Sequence, residues 1–279
     1  MKNKLKYINL GCGGHFHEDW VNVDFAVTGK DVIAHNLNFG IPFQNDSFDV
    51  VYHSHVLEHF AKKNAGFFVR ECYRVLKNEG IIRIAVPDLE QIIIEYQKQL
   101  QLVISGDKRS VLNYDWIMLE LYDQTVRNIS GGQMAEYIFQ EKLENEDYVF
   151  QRIGHEGKNL RKYYLANNGD SLQLKEFELS LKQKIKFAVK RFLVELIFKE
   201  QYEVVDNYLK IGKFRQSGEI HQWMYDRYSL YLLLKQNGFR KIEVKTAYNS
   251  QIPEFSKYNL DVVDGEIRKP DSLFIEAYK

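Results

Sequence analysis

The short apolar run Ile8-Asn9-Leu10 stops on Gly11-Cys12-Gly13-Gly14, and a second run, Trp20-Val21-Asn22-Val23, stops on Asp24. Glycines where a first strand ends let the backbone approach a ligand closely. An acid closing the second strand can accept hydrogen bonds from both hydroxyls of a ribose. A dinucleotide fold is the competing reading. Its G-x-G-x-x-G fingerprint needs a third glycine where this chain has Phe16, and an acid about 20 residues on. Asp24 follows Gly11 by only 13 positions. Taken alone, the glycine bend is equally the tight turn of any α/β protein.

The pattern continues through the first ninety residues. Asp31-Val32-Ile33-Ala34 reads as a third strand and Phe48-Asp49-Val50-Val51-Tyr52 as a fourth. A helix follows, with Phe68, Cys72, Val75 and Leu76 on one buried face. Asn78-Glu79-Gly80 ends it, with Gly80 expected to take a left-handed C′ conformation. Ile81 to Val86 is a fifth strand, stopped by Pro87. From about Asp88 to Ser217 the strand signal fades, and Leu89 to Leu102, Asp115 to Val126 and Leu181 to Phe198 read as helices. Tyr228 to Gln236 is a further helix closed by Asn237-Gly238. Lys241 to Thr246 and Leu273 to Tyr278 are strands joined by a loop long enough to suggest a role. Alternating strands and helices indicate an α/β fold. The expectation is a Rossmann-like, doubly wound, mostly parallel seven-stranded sheet with a C-terminal antiparallel strand pair. Residues 1–88 and 218–279 would form it, and 89–217 would be a largely helical insertion acting as a lid.

Three further segments are specific. Gly40-Ile41-Pro42-Phe43-Gln44-Asn45-Asp46-Ser47-Phe48-Asp49 resembles the LPF-x-x-x-SFD stretch of class I S-adenosylmethionine (SAM)-dependent methyltransferases of the type 11 kind. His55-Val56-Leu57-Glu58-His59 resembles their HVLEH segment, and Glu71 to Gly80 their E-x-x-RVLKPGG helix end. The resemblance covers roughly residues 5 to 90. It implies SAM as cofactor, with Gly11, Cys12 and Gly13 beneath its methionine part. Asp24 would hold the ribose and Phe25 lie against the adenine. Asn36 and Leu37 would face the adenine edge, and His53 would approach the methionine end. SAM has no pyrophosphate, so the missing third glycine fits. Two positions depart from the family: Asn9 is often acidic, and Asn36 replaces an aspartate, a weaker acceptor for an amine than a carboxylate.

SAM in such a fold lies across the carboxyl ends of the strands, so an acceptor enters beside it. In the insertion, Asp123, Gln124 and Arg127 precede the Gly131-Gly132 break and suggest a pocket, though an exposed i, i+4 ion pair explains Asp123 and Arg127 equally well. A second cluster, Phe150 to Glu156, contains His155. A third, His221-Gln222-Trp223-Met224-Tyr225, together with the closing Ser272 to Ala277 run, resembles a bacterial subgroup associated with polysaccharide and surface-glycan biosynthesis. There the H-x-W-x-Y segment borders the active site. His221 is the first general-base candidate for a sugar hydroxyl, with His155 and Asp123 behind it. Gln124, Arg127, Trp223 and Tyr225 are the candidate acceptor-binding residues. His53, His55 and His59 have an odd spacing for a metal and no matching carboxylate pair, so no metal site is expected.

Composition narrows the partners. Lysine plus arginine and aspartate plus glutamate both number 38, a formal net charge of zero, which gives no support for capturing nucleic acid. Cys12 and Cys72 form no CxxC pair, consistent with a reducing compartment. The first ten residues read as a strand and not a signal peptide, so the expected location is cytoplasmic. Residues 181–194 alternate basic and apolar groups and are a candidate for contact with an anionic membrane surface. The sequence fixes no oligomeric state. The expected activity is methyl transfer to a small-molecule or glycan acceptor. The other class is a binding subunit that keeps the fold without turnover.

Overall fold

Parallel strands buried on both faces carry near-continuous apolar runs, and those runs form the centre of this molecule. The computed structural model describes residues 5–166 and 202–279. The helix expected at 181–198 and the basic segment 181–194 lie outside the described residues. One seven-stranded sheet runs in the order β3-β2-β1-β4-β5-β9-β6. Its first strands are β1 (Tyr7–Leu10), β2 (Val21–Asp24), β3 (Val32–Ala34), β4 (Phe48–Ser54) and β5 (Leu76–Pro87), all parallel. The last are β6 (Arg240–Lys245) and β9 (Ser272–Tyr278); β9 runs antiparallel to both β5 and β6. A short antiparallel pair, β7 (Val262–Val263) and β8 (Glu266–Ile267), lies in the loop before β9. The expected sheet is therefore present. Strand order reverses between β1 and β4, and the crevice beyond their carboxyl ends is where such sheets bind ligands.

One face of the sheet packs on α1 (Lys62–Val75) and on α7 (Arg227–Gln236). The α1 stripe Ala65, Phe68, Val69, Cys72 and Val75 is buried as its periodicity requires. Helix α1 ends earlier than expected, at Val75, and residues 78–80 already belong to β5. The left-handed residue is Glu79, at φ 61°, and not Gly80. Gly80 is needed for closeness: a Cβ there would lie 2.8 Å from the Lys77 carbonyl oxygen and 3.1 Å from that of Asp49. Helix α7 starts on a capping box in which Asp226 accepts from the backbone of Tyr228 and Ser229.

Between β5 and α7 every described element is helical: α2 (Leu89–Ile104), α3 (Ser110–Val126), α4 (Gly132–Ile138), α5 (Glu146–Ala166) and α6 (Tyr202–Arg215). Trp116, Ile138, Leu143 and Val149 form their small core. Helix α5 breaks at Gly154 (φ 61°, ψ −149°), where a Cβ would meet Pro270 Cδ at 2.3 Å and the Ile267 carbonyl oxygen at 2.6 Å. The insertion thus docks against the loop before β9. No described helix is long and apolar enough to cross a membrane.

The other face of the sheet is covered by residues 249–261. Ile252, Phe255, Tyr258 and Leu260 pack on Tyr7, Trp20, Val50 and Tyr52. Arg83 of β5 anchors this loop. It is fully buried and donates to Asp261 (2.7 Å), Glu276 (2.8 Å) and the carbonyls of Thr246 and Asn249 (both 3.0 Å). Its guanidinium also lies over the Phe255 ring at 4.7 Å. Removing one member of a buried charge cluster strands the others. Arg83→Met is expected to lower the unfolding free energy by about 3–5 kcal/mol, measured by urea denaturation; an unchanged midpoint would show that the two carboxylates find other partners.

Candidate active site

The bend after β1 is built so that only glycine fits. Gly11 (φ 63°) and Gly13 (φ 54°) are left-handed, and a Cβ on Gly11 would lie 2.3 Å from Val56 Cγ2. The amides of Gly11 and Cys12 donate to the Val23 carbonyl at 2.8 and 3.2 Å. Asp24 closes the bend from the next strand. Its Oδ2 accepts from the Gly13 amide at 2.8 Å and its Oδ1 from the Ala26 amide at 3.2 Å. The Thr28 hydroxyl donates to the Gly13 carbonyl.

Three cavities meet at this end of the sheet. The first, about 480 Å³, is lined by Gly11, Asp24, Phe25, Asn36 and Leu37. The structure therefore gathers the residues expected around a nucleoside. Phe25 is 70% exposed, a free aromatic face at the rim. The Asn36 side-chain oxygen already accepts from the Asn38 backbone and side-chain amides at 3.0 Å, so it caps the turn Leu37–Phe39. The second cavity, also about 480 Å³, contains the bend (Gly11, Cys12, Gly13) with Asn9, Ser54 and His155. The third, about 250 Å³, lies under the insertion. Gln124 and Arg127 line it, with Met134, Ile138, Ile153 and Leu160 as its apolar wall.

His55 lines all three. It follows β4 in a left-handed conformation (φ 56°), which turns it out of the strand's alternation. Its Nε2 is 2.8 Å from the Ser272 hydroxyl oxygen and its Nδ1 is 3.3 Å from a Glu58 carboxyl oxygen. Burial, aided by the Lys269 and Arg268 cations, pushes its pKa well below the usual imidazole range, so it is neutral at pH 7. Glu156 and Lys269 join His55 where the second and third cavities meet. Arg268 ties that wall together, donating to Ser54 at 2.7 Å and to Glu156 at 2.8 Å.

Several expected residues stand elsewhere. His53 is 0% exposed and packs edge-on to Phe68 of α1, with neither ring nitrogen hydrogen-bonded among the described residues. It cannot approach a methionine end, because its place in the strand points it into the core. Asp123 is a structural cap: it accepts from the Gln133 and Met134 amides at 2.8 and 3.4 Å and so starts α4. Tyr225 is buried in the main core, and its carbonyl accepts from the Leu89 amide at 3.0 Å. Trp223 lies under the Lys62 ammonium at 4.2 Å, outside the three cavities. His221 is buried behind His55, 3.9 Å from Glu58, and lines none of the three. His155 lies on the second cavity beside Asn159. His55, Glu58 and Lys269 are the groups that spacing alone does not single out. The HVLEH segment contained the first two, but the left-handed residue that aims His55 has no sequence mark.

Residues 29–84 match the family model described as a methyltransferase domain. A comparison with curated proteins gave no match. The crystal structure of a SAM-dependent methyltransferase from Archaeoglobus fulgidus aligns over 100% of this chain and 87% of its own, at 11% identity and a TM-score of 0.40. One from Thermotoga maritima aligns over 100% and 84%, at 10% identity and 0.38. The YcgJ protein from Bacillus subtilis aligns over 36% and 52%, at 20% identity and 0.27. The match to a methyltransferase domain runs from just before β3 to within β5.

The thiol of Cys12 sits in this bend. Burial and the neighbouring Asp24 charge push its pKa up to about 11, and burial raises that of Cys72 as well. Both thiols keep their protons at neutral pH, and the thiolate is the reactive form. Iodoacetamide at pH 7.5 should therefore label neither in the native protein. Labelling of Cys12 should rise as pH approaches its pKa. Rapid native labelling at pH 7.5, read by mass spectrometry, would contradict the burial.

Proposed function

We propose that SAM spans the first two cavities and that its methyl group is delivered to a small polar acceptor in the third. The observation that carries this reading is the junction: one residue, His55, borders all three spaces. The nucleoside would sit by Asp24, Phe25 and Leu37, and the amino-acid tail by the glycine bend. The sulfonium would then face the opening between His55, Glu156 and Lys269. The third cavity, about 250 Å³, falls below the usual ligand pocket of about 300–1,000 Å³. It suits a small molecule or one residue of a larger chain. Its lining mixes apolar residues (Met134, Ala135, Ile138) with polar ones (Gln124, Arg127, Asp271). A sugar ring likewise carries both apolar C–H faces and hydroxyl groups, so O-methylation of a sugar or glycan is the favoured reaction.

The chemistry asks for alignment more than for activation. The sulfonium methyl is already electrophilic, and placing a nucleophile in line with it supplies much of the acceleration. An oxygen acceptor also sheds a proton as the methyl arrives. His55, a neutral imidazole at the junction, takes over the role that the sequence reading gave to His221. Gln124 and Arg127 would orient the acceptor.

Calorimetric titration with SAM tests the first half. Wild type should bind one equivalent, and Asp24→Ala should weaken binding at least about tenfold, or about 1.4 kcal/mol; no binding by wild type sinks the proposal. Met134→Trp tests the second half by filling the third cavity. SAM affinity should stay within about twofold while turnover of an active sugar acceptor falls at least about tenfold, or about 1.4 kcal/mol in the barrier. SAM binding with no turnover on any hydroxyl or amine acceptor would favour a non-catalytic binding subunit.

A further inference from the structure

Behind the junction, the turn after β4 collects side chains that the methyl-transfer chemistry does not use. Glu58 sits in the one-turn helix Leu57–His59 and is 0% exposed. Neither of its carboxyl oxygens makes a hydrogen bond among the described residues. The His55 Nδ1 lies 3.3 Å from Oε1 without forming a hydrogen bond to it; a buried carboxyl group left without hydrogen bonds is costly, and proteins resolve that cost with a partner. The segment that closes over it is firmly held: the Glu58 carbonyl accepts from the Gln222 amide at 2.7 Å and the Trp223 amide at 3.2 Å. This brings in His221, whose Nε2 lies 3.9 Å from Glu58 Oε1. The rings of His59 and His221 meet nearly at right angles, centroids 5.0 Å apart.

The His59 tautomer is fixed. Its Nδ1 is 3.1 Å from the Ile220 carbonyl oxygen. A carbonyl can only accept, so Nδ1 carries the proton and Nε2 keeps its lone pair. An imidazole whose second nitrogen donates to a carbonyl is how metal-bound histidines are usually oriented. One donor atom from each of Glu58, His59 and His221 lies within 4.8 Å of the others.

We propose that Glu58, His59 and His221 bind one divalent first-row transition-metal ion of the zinc type. Two imidazoles and one carboxylate suit such an ion and are poor ligands for magnesium or calcium, which take oxygen. Zinc bonds of about 2.0–2.2 Å require the three donor atoms to draw together by roughly 1 Å, a movement side-chain rotation can supply. The charges nearest the cluster are already matched. Arg127 faces Asp123 at 3.9 Å and Glu219 at 3.3 Å, and Lys269 faces Glu156 at 3.3 Å. The other titratable neighbours of Glu58 are His55, neutral and 3.3 Å away, Asp271 and the buried Tyr225. His59 also lines the first cavity, which gives the ion a route in. Three protein donors are one fewer than a closed structural zinc site uses, so a place remains for water or another ligand atom. The expectation against a metal weighed only histidines close in sequence; His221 arrives from 162 residues beyond His59.

The test uses full-length, tag-free protein freed of metal with a chelator. Titration with Co²⁺, followed by its visible d–d absorption, should saturate at one equivalent, and Zn²⁺ should displace it. Mg²⁺ and Ca²⁺ should do neither. Glu58→Gln and His221→Ala should each weaken Co²⁺ binding at least about tenfold. No stoichiometric uptake of Co²⁺ or Zn²⁺ by wild type would overturn the proposal, as would uptake that both folded variants retain. Should the variants fail to fold by circular dichroism, X-ray absorption on zinc-loaded wild type decides. Two imidazoles in the spectrum support the site, and fewer refute it.

Discussion

The buried cation of Arg83 positions the parts of this molecule that meet at the site. It holds the loop that follows β6 by the Asp261 carboxylate and two carbonyls, and pairs with Glu276 of β9, which accepts from the Gln251 amide of the same loop. A buried ion cluster contributes little net stability over an apolar core of the same shape. Its effect here is positional. Once Asp261 is held, its backbone carbonyl accepts from the Arg268 amide at 2.9 Å. Arg268 and Lys269 then form one wall of the cavities, and Gly154 gives α5 a place to dock against the same loop. The insertion and the sheet are thus brought together through a loop whose anchor lies in the middle of β5.

The fold was legible because its evidence is local. Tyr7 to Leu10, Val21 to Asp24 and Ile81 to Val86 are apolar runs bounded by glycine, acid or proline, and each is a strand. The glycine bend and Asp24 were readable for the same reason: a close approach and a strand-ending acid leave residue types at fixed places. Leu89 and Asp115 opened helical patterns that the structure extends. Helices α4, α5 and α6 were missed. The first is seven residues long and depends on Asp123 as a cap from another helix, and the second is interrupted at Gly154. Neither cause is visible in a window of neighbours.

The site was half legible, and the division has a physical basis. Cofactor-side residues follow strands whose direction is set by pairing, so their position can be counted. Strand parity decided against His53, which the alternation of β4 turns toward Phe68. The left-handed backbone at His55 then reverses that logic two residues later. On the acceptor side, Trp223 and Tyr225 looked like pocket aromatics, yet the backbone around them pairs with Asp88, Leu89 and Glu58 and turns their rings away from the cavities. Whether an aromatic faces a ligand or a neighbouring helix depends on contacts far apart in sequence.

Asp24 carries a consequence beyond its place in the cleft. An ionised carboxylate has about four acceptor positions, and two of them are engaged by the amides of Gly13 and Ala26. Those two bonds, one to each carboxyl oxygen, hold the group in place. In the ribose-binding role proposed above, the receptor is therefore assembled before the diol arrives. Little chain entropy remains to be lost at that point when the visitor docks, and recognition there is closer to a key meeting a cut lock than to a hand closing.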